Sequence, residues 1–120
     1  MRNIDSLKNN EFQYVYKNGK SYANKYLIMY VTKNEAGKSK LGISVSKKVG
    51  NSIVRHRFAR LVREVYRLNK DMFNSSLNIV VIARAGAKDK NYKEIKSAFL
   101  HLLKMHGVLT ESEVSKDANN

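Results

Sequence analysis

The stretch Leu41-Gly42-Ile43-Ser44-Val45-Ser46-Lys47-Lys48-Val49-Gly50-Asn51-Ser52-Ile53-Val54-Arg55-His56-Arg57-Phe58-Ala59-Arg60-Leu61-Val62-Arg63-Glu64 changes its hydrophobic period partway along, and that change decides the fold. Over residues 40–46 the period is two: Leu41, Ile43 and Val45 point one way, Gly42, Ser44 and Ser46 the other. This is the pattern of a strand with its first set inward and its second outward. After Gly50 the period lengthens to that of a helix. At about 100° per residue, Val54, Phe58, Leu61, Val62, Val65 and Leu68 gather on one side. His56, Arg60, Arg63 and Arg67 gather on the opposite side, with Arg55 and Arg57 on the two flanks. Asn51 or Ser52 suits the N-cap, because a short polar side chain can accept a free N–H of the first turn. The helix runs to about Asn69.

Working outward, Leu77-Asn78-Ile79-Val80-Val81-Ile82-Ala83 is a nearly continuous apolar run of the kind that makes a central buried strand. A last helix begins near Asn91, with Glu94 placed to complete a capping box, and ends at Gly107. Its core face is Ile95, Ala98, Phe99, Leu102 and Leu103. Upstream, residues 9–18 predict a short helix with Asn9 as N-cap and Gly19 as a left-handed C′ residue. Phe12, Val15 and Tyr16 form its apolar, aromatic stripe. Residues 21–24 read as a short strand or loop. Residues 26–31 form a strand with Tyr26, Ile28 and Tyr30 on one face and Leu27, Met29 and Val31 on the other. Both faces are apolar, so one packs in the core and the other needs a second cover. Residues 33–38 are polar and read as a hairpin loop. The order is α-β-β-β-α-β-α, an α/β (α+β) sandwich. Residues 1–109 read as one domain, and the polar, aperiodic residues 110–120 as a disordered tail.

Charge dominates the composition. Lys and Arg number 23 against 10 Asp and Glu, a formal net charge of +13 with a pI near 10.0. Such an excess repels itself in a compact fold, so a polyanion is the natural partner. No apolar run approaches the roughly 20 residues a spanning helix needs. The N-terminus leads into no apolar signal segment, so no secretory signal is visible. With no cysteine there are no disulfides and no thiolate ligands for zinc, which fits a cytoplasmic protein.

From Lys47 to Arg67 there are seven cations, Lys47, Lys48, Arg55, Arg57, Arg60, Arg63 and Arg67, against the single acid Glu64. A merely solvated helix face usually interleaves acids at i, i+4; this one does not. Arginine's planar fork bonds two phosphate oxygens at once, so the stripe points to nucleic acid. A metal-dependent protein nuclease is disfavoured. Two-metal cleavage needs clustered carboxylates holding ions about 4 Å apart, whereas the acids here are scattered and no catalytic residue is assigned.

These residues together resemble the bacterial ribonuclease P protein component. The turn Ser46-Lys47-Lys48-Val49-Gly50-Asn51 and the opening Arg55-His56-Arg57 are similar to that family's strand, turn and "RNR" helix. Phe12, Tyr16 and Gly19 upstream and Ile79 to Arg84 downstream also match, so the resemblance spans residues 7–105. His56 stands where the family usually has Asn, and Ala59 where a further basic residue is common. The resemblance implies a mixed sheet with a left-handed βαβ crossover. It implies that Lys47, Lys48, Asn51, Arg55, His56, Arg57, Arg60, Arg63 and Arg67 contact a catalytic RNA. It further implies a separate cleft for the single-stranded 5′ leader of precursor tRNA. Chemistry then belongs to the RNA subunit and its Mg²⁺, with no protein metal site, and the protein is a monomer within the ribonucleoprotein.

The aromatic pattern supports the cleft independently. Phe12 and Tyr16 share a helix face, and Ile28 and Tyr30 share a strand face in need of cover. Unpaired bases stack on such rings for about 1–3 kcal/mol each, without sequence-specific contacts. Ordinary core packing is the competing reading, but the hydroxyls of Tyr16 and Tyr30 favour a partly open surface. Two other classes remain for the chain. A ribosomal-protein-like RNA binder shares the electrostatics without the cleft. A membrane-surface binder is disfavoured, since the apolar side of the basic helix suits a protein core.

Overall fold

The computed structural model describes residues 6–73 and 76–110. Three helices, α1 (Asn9–Asn18), α2 (Ser52–Leu68) and α3 (Tyr92–Met105), alternate with strands β1 (Lys20–Ala23), β2 (Leu27–Lys33), β3 (Lys40–Ser44) and β4 (Leu77–Ala83). The sequence order α-β-β-β-α-β-α is therefore the observed one, with short 3₁₀ turns added at Lys70–Met72 and Ala85–Ala87. The strands lie in the order β1-β2-β4-β3. β2 is antiparallel to both neighbours, and β3 runs parallel to β4 with α2 as the crossover between them. Parallel neighbours need such a crossover because a tight turn cannot reverse the chain direction twice.

The sheet separates two cores. Leu27, Met29, Leu41, Ile79 and Val81 face α2 and α3, whose Phe58, Val62, Val65, Ile95, Phe99, Leu102 and Leu103 close the main core. On the other face, Val80 packs with Leu7 and Val15 beneath α1 in a smaller cluster. This split explains why β4 lacks alternation: it is central and covered on both sides. The α3 capping box forms as the sequence predicts, Asn91 Oδ1 accepting the Glu94 N–H at 2.9 Å and Glu94 Oε1 the Asn91 N–H at 3.0 Å. Gly107 takes the left-handed conformation, φ 72°, that ends the helix.

Several local expectations are corrected. Leu68 is 54% exposed, while Tyr66 is wholly buried and its hydroxyl pairs with Ser39 Oγ. The buried arc of α2 is thus turned toward Tyr66, where a satisfied hydroxyl makes a ring an acceptable core group. β3 ends at Ser44, because Ser46 opens a turn: its carbonyl accepts the Val49 N–H and its hydroxyl the Lys48 N–H. Gly42 is not outward to solvent; a Cβ there would lie 2.5 Å from Phe12 Cζ, so α1 needs a glycine beneath its ring. The α1 N-cap is Lys8, with Asn9 the first helical residue, and the Glu11 carboxylate accepts the Lys8 N–H. Gly19 is extended at φ −85° rather than left-handed. Glycine is required there by proximity, since a Cβ would stand 2.6 Å from the Val15 carbonyl oxygen. Tyr26 leaves the face of Ile28 and Tyr30. Asn24 Oδ1 accepts the N–H groups of Tyr26 and Leu27, a turn that interrupts the alternation and sends the Tyr26 ring to the main core.

Of the segment expected to be a tail, residues 111–120 lie outside the described residues. Thr110 is tied back, its N–H donating to Met72 O at 2.9 Å beside the Phe73–Leu109 bridge.

Candidate nucleic-acid interface

α2 presents its cations because its start is firmly set. Asn51 Oδ1 accepts the Val54 N–H at 3.0 Å, and Gly50 lets the chain pass Val54, whose Cγ1 would meet an added Cβ at 2.6 Å. From this start the core positions face inward, and Arg57, Arg60, Arg63, Arg67 and His56 are exposed, as are Lys47, Lys48 and Asn51 in the lead-in. Of the nine residues expected to contact RNA, eight are therefore exposed along α2 and its lead-in. They are not equivalent. Asn51 spends its oxygen on the cap. Arg67 is paired with Glu64 at 2.7 Å, so part of its charge is answered within the protein. Arg57 donates to the Lys90 carbonyl at 3.0 Å. Arg55 is half-buried, with its Nε–H enclosed and without a hydrogen-bond partner. Among the described residues, Arg60 and Arg63 carry no such ties.

Arg63 also has a second neighbourhood. It borders a cavity of about 180 Å³ with Ser6, Leu7, Phe12, Leu41, Gly42 and Ile43, on the α1 side of the sheet edge. β3 is an edge strand, so a long side chain from α2 can reach around it. The arginine helix and the groove beside α1 thus adjoin at Arg63.

The groove is built from two tiers. Phe12 and Tyr16 have ring centroids 6.2 Å apart, and Tyr16 stands edge-on to Tyr30 at 5.2 Å and 86°. Tyr30 lies in register with Val80 and Gly42, so this tier rests directly on the sheet. The next tier pairs Ile28 with Ile82 and Ser44. Phe12, Ile28, Tyr30 and Ile82 are half-buried and Tyr16 is 37% exposed, an aromatic and aliphatic surface still open to solvent. Phe12, Tyr16, Ile28 and Tyr30 are thus brought to one face, as the sequence predicts. Ile82 and Ser44 join them without having been singled out by sequence. Ile82 carries no signal of its own, because both faces of β4 are apolar. Ser44 does alternate outward, but only its register with Ile28 places it in the groove.

α1 is pinned over this face by Lys40 Nζ, which donates to Glu11 Oε2 at 2.8 Å. The Lys40 hydrogen bond, then the Lys8 N–H, hold the Glu11 carboxyl below its ordinary value. Among the described residues, no group of three His, Cys, Asp or Glu side chains converges in a way that would hold a metal ion. None of their helices is long and apolar enough to cross a membrane.

The chain is similar in sequence and fold to known proteins. A family model described as Ribonuclease P matches residues 2–107. The chain is 61% identical over 114 residues to the ribonuclease P protein component of Lachnoclostridium phytofermentans, spanning 94% of this chain and 98% of that one. It is 52% identical over 103 residues to the counterpart from Clostridium botulinum strain 657, spanning 84% and 92%. The solved RNase P protein of Staphylococcus aureus superposes with a TM-score of 0.80 at 37% identity, covering 91% of this chain and 100% of that one. The protein from Thermotoga maritima superposes at 0.77 with 32% identity, covering 84% and 96%.

Proposed function

Because the chain belongs to the ribonuclease P protein family, we propose that its arginine helix binds the catalytic RNA while its α1 groove holds the 5′ leader of precursor tRNA. The observation that carries this reading is the adjacency of the two surfaces at Arg63, which lies on α2 and also borders the Phe12–Gly42 cavity. A protein that only decorated an RNA would have no use for a half-open aromatic groove beside its cationic helix. Here a flexible strand leaving a structured RNA on α2 meets stacking surfaces with a guanidinium at their margin.

In this reading the protein makes and breaks no covalent bond. Lys47, Lys48, Arg55, Arg57, Arg60, Arg63 and Arg67 offset phosphate repulsion, with Asn51 and His56 at the same end of the helix. Phe12, Tyr16, Ile28 and Tyr30 stack or pack against leader bases, with Ile82 and Ser44 extending the floor. The Mg²⁺ requirement is assigned to the RNA, along with hydrolysis of the phosphodiester. The protein acts as a single copy within a cytoplasmic ribonucleoprotein.

Reconstitution tests it. Protein with the catalytic RNA should cleave precursor tRNA at Mg²⁺ concentrations where the RNA alone is slow, and protein without RNA should not cleave at all. Cleavage by the RNA-free protein refutes the assignment of chemistry, and indifference of the RNA to added protein refutes the subunit's role.

A further inference from the structure

A second cationic surface lies at the corner of the sheet where β2 begins and β4 ends. Leu27 pairs with Ala83, and just beyond this pair the turn 24–26 meets the loop 84–90. The Arg84 N–H donates to Tyr26 O, and Arg84 Nη1 to Asn24 O at 2.9 Å. Lys90 Nζ lies 5.3 Å from the centre of the Tyr26 ring. A Cβ on Gly86 would stand 3.0 Å from Lys25 O, so the two backbones approach closely there. Arg57 of α2 joins the same corner through its bond to the Lys90 carbonyl.

Lys25, Arg57, Arg84 and Lys90 are thus assembled on three separate segments. The first three are exposed and Lys90 is half-buried. The carboxylates in ion pairs among the described residues, Glu11 and Glu64, serve Lys40 and Arg67 and none of these four. Asp89 sits in the same loop and Glu94 lines a pocket with Lys25 and Tyr26, yet among the described residues neither is ion-paired with the four cations. The remaining excess of like charge opposes folding, and a polyanion laid across it reverses that cost. Bonds from two guanidiniums to backbone carbonyls also hold the group in place, so less side-chain freedom is surrendered on binding.

We propose that this corner binds the phosphodiester backbone of the catalytic RNA, continuing the surface of α2 through Arg57. The inference rests on the RNA-binding role given above. Position argues for the catalytic RNA over the leader: Tyr26 packs with the core under α2 and α3, on the sheet face opposite the α1 groove. The chemistry is charge and shape alone, so recognition is independent of base sequence.

The chain has no cysteine, so Lys25→Cys accepts a tethered hydroxyl-radical source at one site. In the holoenzyme with precursor tRNA, scission is expected in the catalytic RNA. Scission confined to precursor tRNA, or none above background, overturns the proposal. Arg60→Cys on α2 is the parallel probe: an active Arg60 site with a silent Lys25 site sinks the corner alone, whereas silence at both sinks the helix reading as well. In titrations, Lys25→Gln with Lys90→Gln should lower the slope of log affinity against log salt by about 0.9 for each phosphate no longer neutralised. Lys25→Arg with Lys90→Arg should retain it, which separates charge from folding. An unchanged slope in the Gln pair refutes the corner.

Discussion

The ring of Tyr16 meets the ring of Tyr30 edge-on, with centroids 5.2 Å apart, and so ties α1 to the open face of β2. An edge-on aromatic pair contributes about 0.5–1.5 kcal/mol beyond its buried area. It also leaves ring surface for a base to cover. Tyr16→Ala with Tyr30→Ala should weaken holoenzyme binding of precursor tRNA carrying a leader of several nucleotides. Removing two stacks at about 1–3 kcal/mol each corresponds to roughly one to four decades, less if the leader rearranges. Binding of mature tRNA should hardly change, which a paired titration would reveal. Equal weakening for both tRNAs would reduce the pair to a structural role.

The cations of α2 should differ in effect according to their ties. Arg60→Ala and Arg63→Ala should each weaken binding to the catalytic RNA and lower the salt slope by about one phosphate's share. Arg67→Ala should do less, since Glu64 already answers much of that charge at 2.7 Å. Exposed pairs of this kind are worth only about 0–1 kcal/mol, so Arg67 can be removed with little effect on stability. Arg57→Ala should weaken RNA binding too, with removal of the Lys90 bond as an added local effect. Salt titrations of the four variants rank them; a uniform response would mean the helix acts only through its total charge.

Gly42→Ala tests the seat of Phe12. The added Cβ would lie 2.5 Å from Phe12 Cζ and 2.7 Å from Cε1, so the ring must move. Overpacking of this type costs about 1–3 kcal/mol. A fall in the urea midpoint and weaker leader binding should occur together, because the same ring closes the small core and edges the groove. A Phe99→Ala control should cost more stability, about 3–5 kcal/mol, since it empties the main core.

His106 predicts a pH dependence of stability. Its Nε2–H donates to Met29 O at 2.9 Å, and its ring stands edge-on to Tyr22 at 4.7 Å. Desolvation holds its pKa below the ordinary 6.5, and the nearby Lys20 acts in the same sense, against the raising effect of the Met29 bond. The unfolded chain therefore binds the proton more readily. The contribution is present above 6.5 and is lost as pH falls through the lowered folded value. His106→Gln removes the titration while leaving a side-chain donor. Urea midpoints measured across this window should fall less for the variant than for the parent protein; parallel curves would disprove the assignment.

The elements were legible because each rests on local chemistry. Periods of two and 3.6, the Asn51 and Asn91 caps, and Gly107 at the end of α3 act within a few residues. They agree with the structure almost throughout. Phe12, Tyr16, Ile28 and Tyr30 could also be placed on faces by local periodicity alone. The departures fall where a distant segment intervenes. Gly42 alternates like an outward residue until Phe12 of α1 lies over it. Leu68 and Tyr66 stand at the two margins of one helical arc, and the Ser39 hydroxyl, far away in sequence, settles which is buried.

From sequence alone came the excess of cations, the one-sided arginine helix, the order of elements and the family resemblance, all properties of composition or of short-range spacing. Only the tertiary structure decided that Ile82 and Ser44 extend the floor of the groove, since strand register is set by pairing between segments tens of residues apart. Only it brought Arg63 of α2 beside Phe12 of α1, and Lys25, Arg57, Arg84 and Lys90 to one corner. Charge can be counted along a chain, but where charges converge depends on which strand ends the sheet brings together.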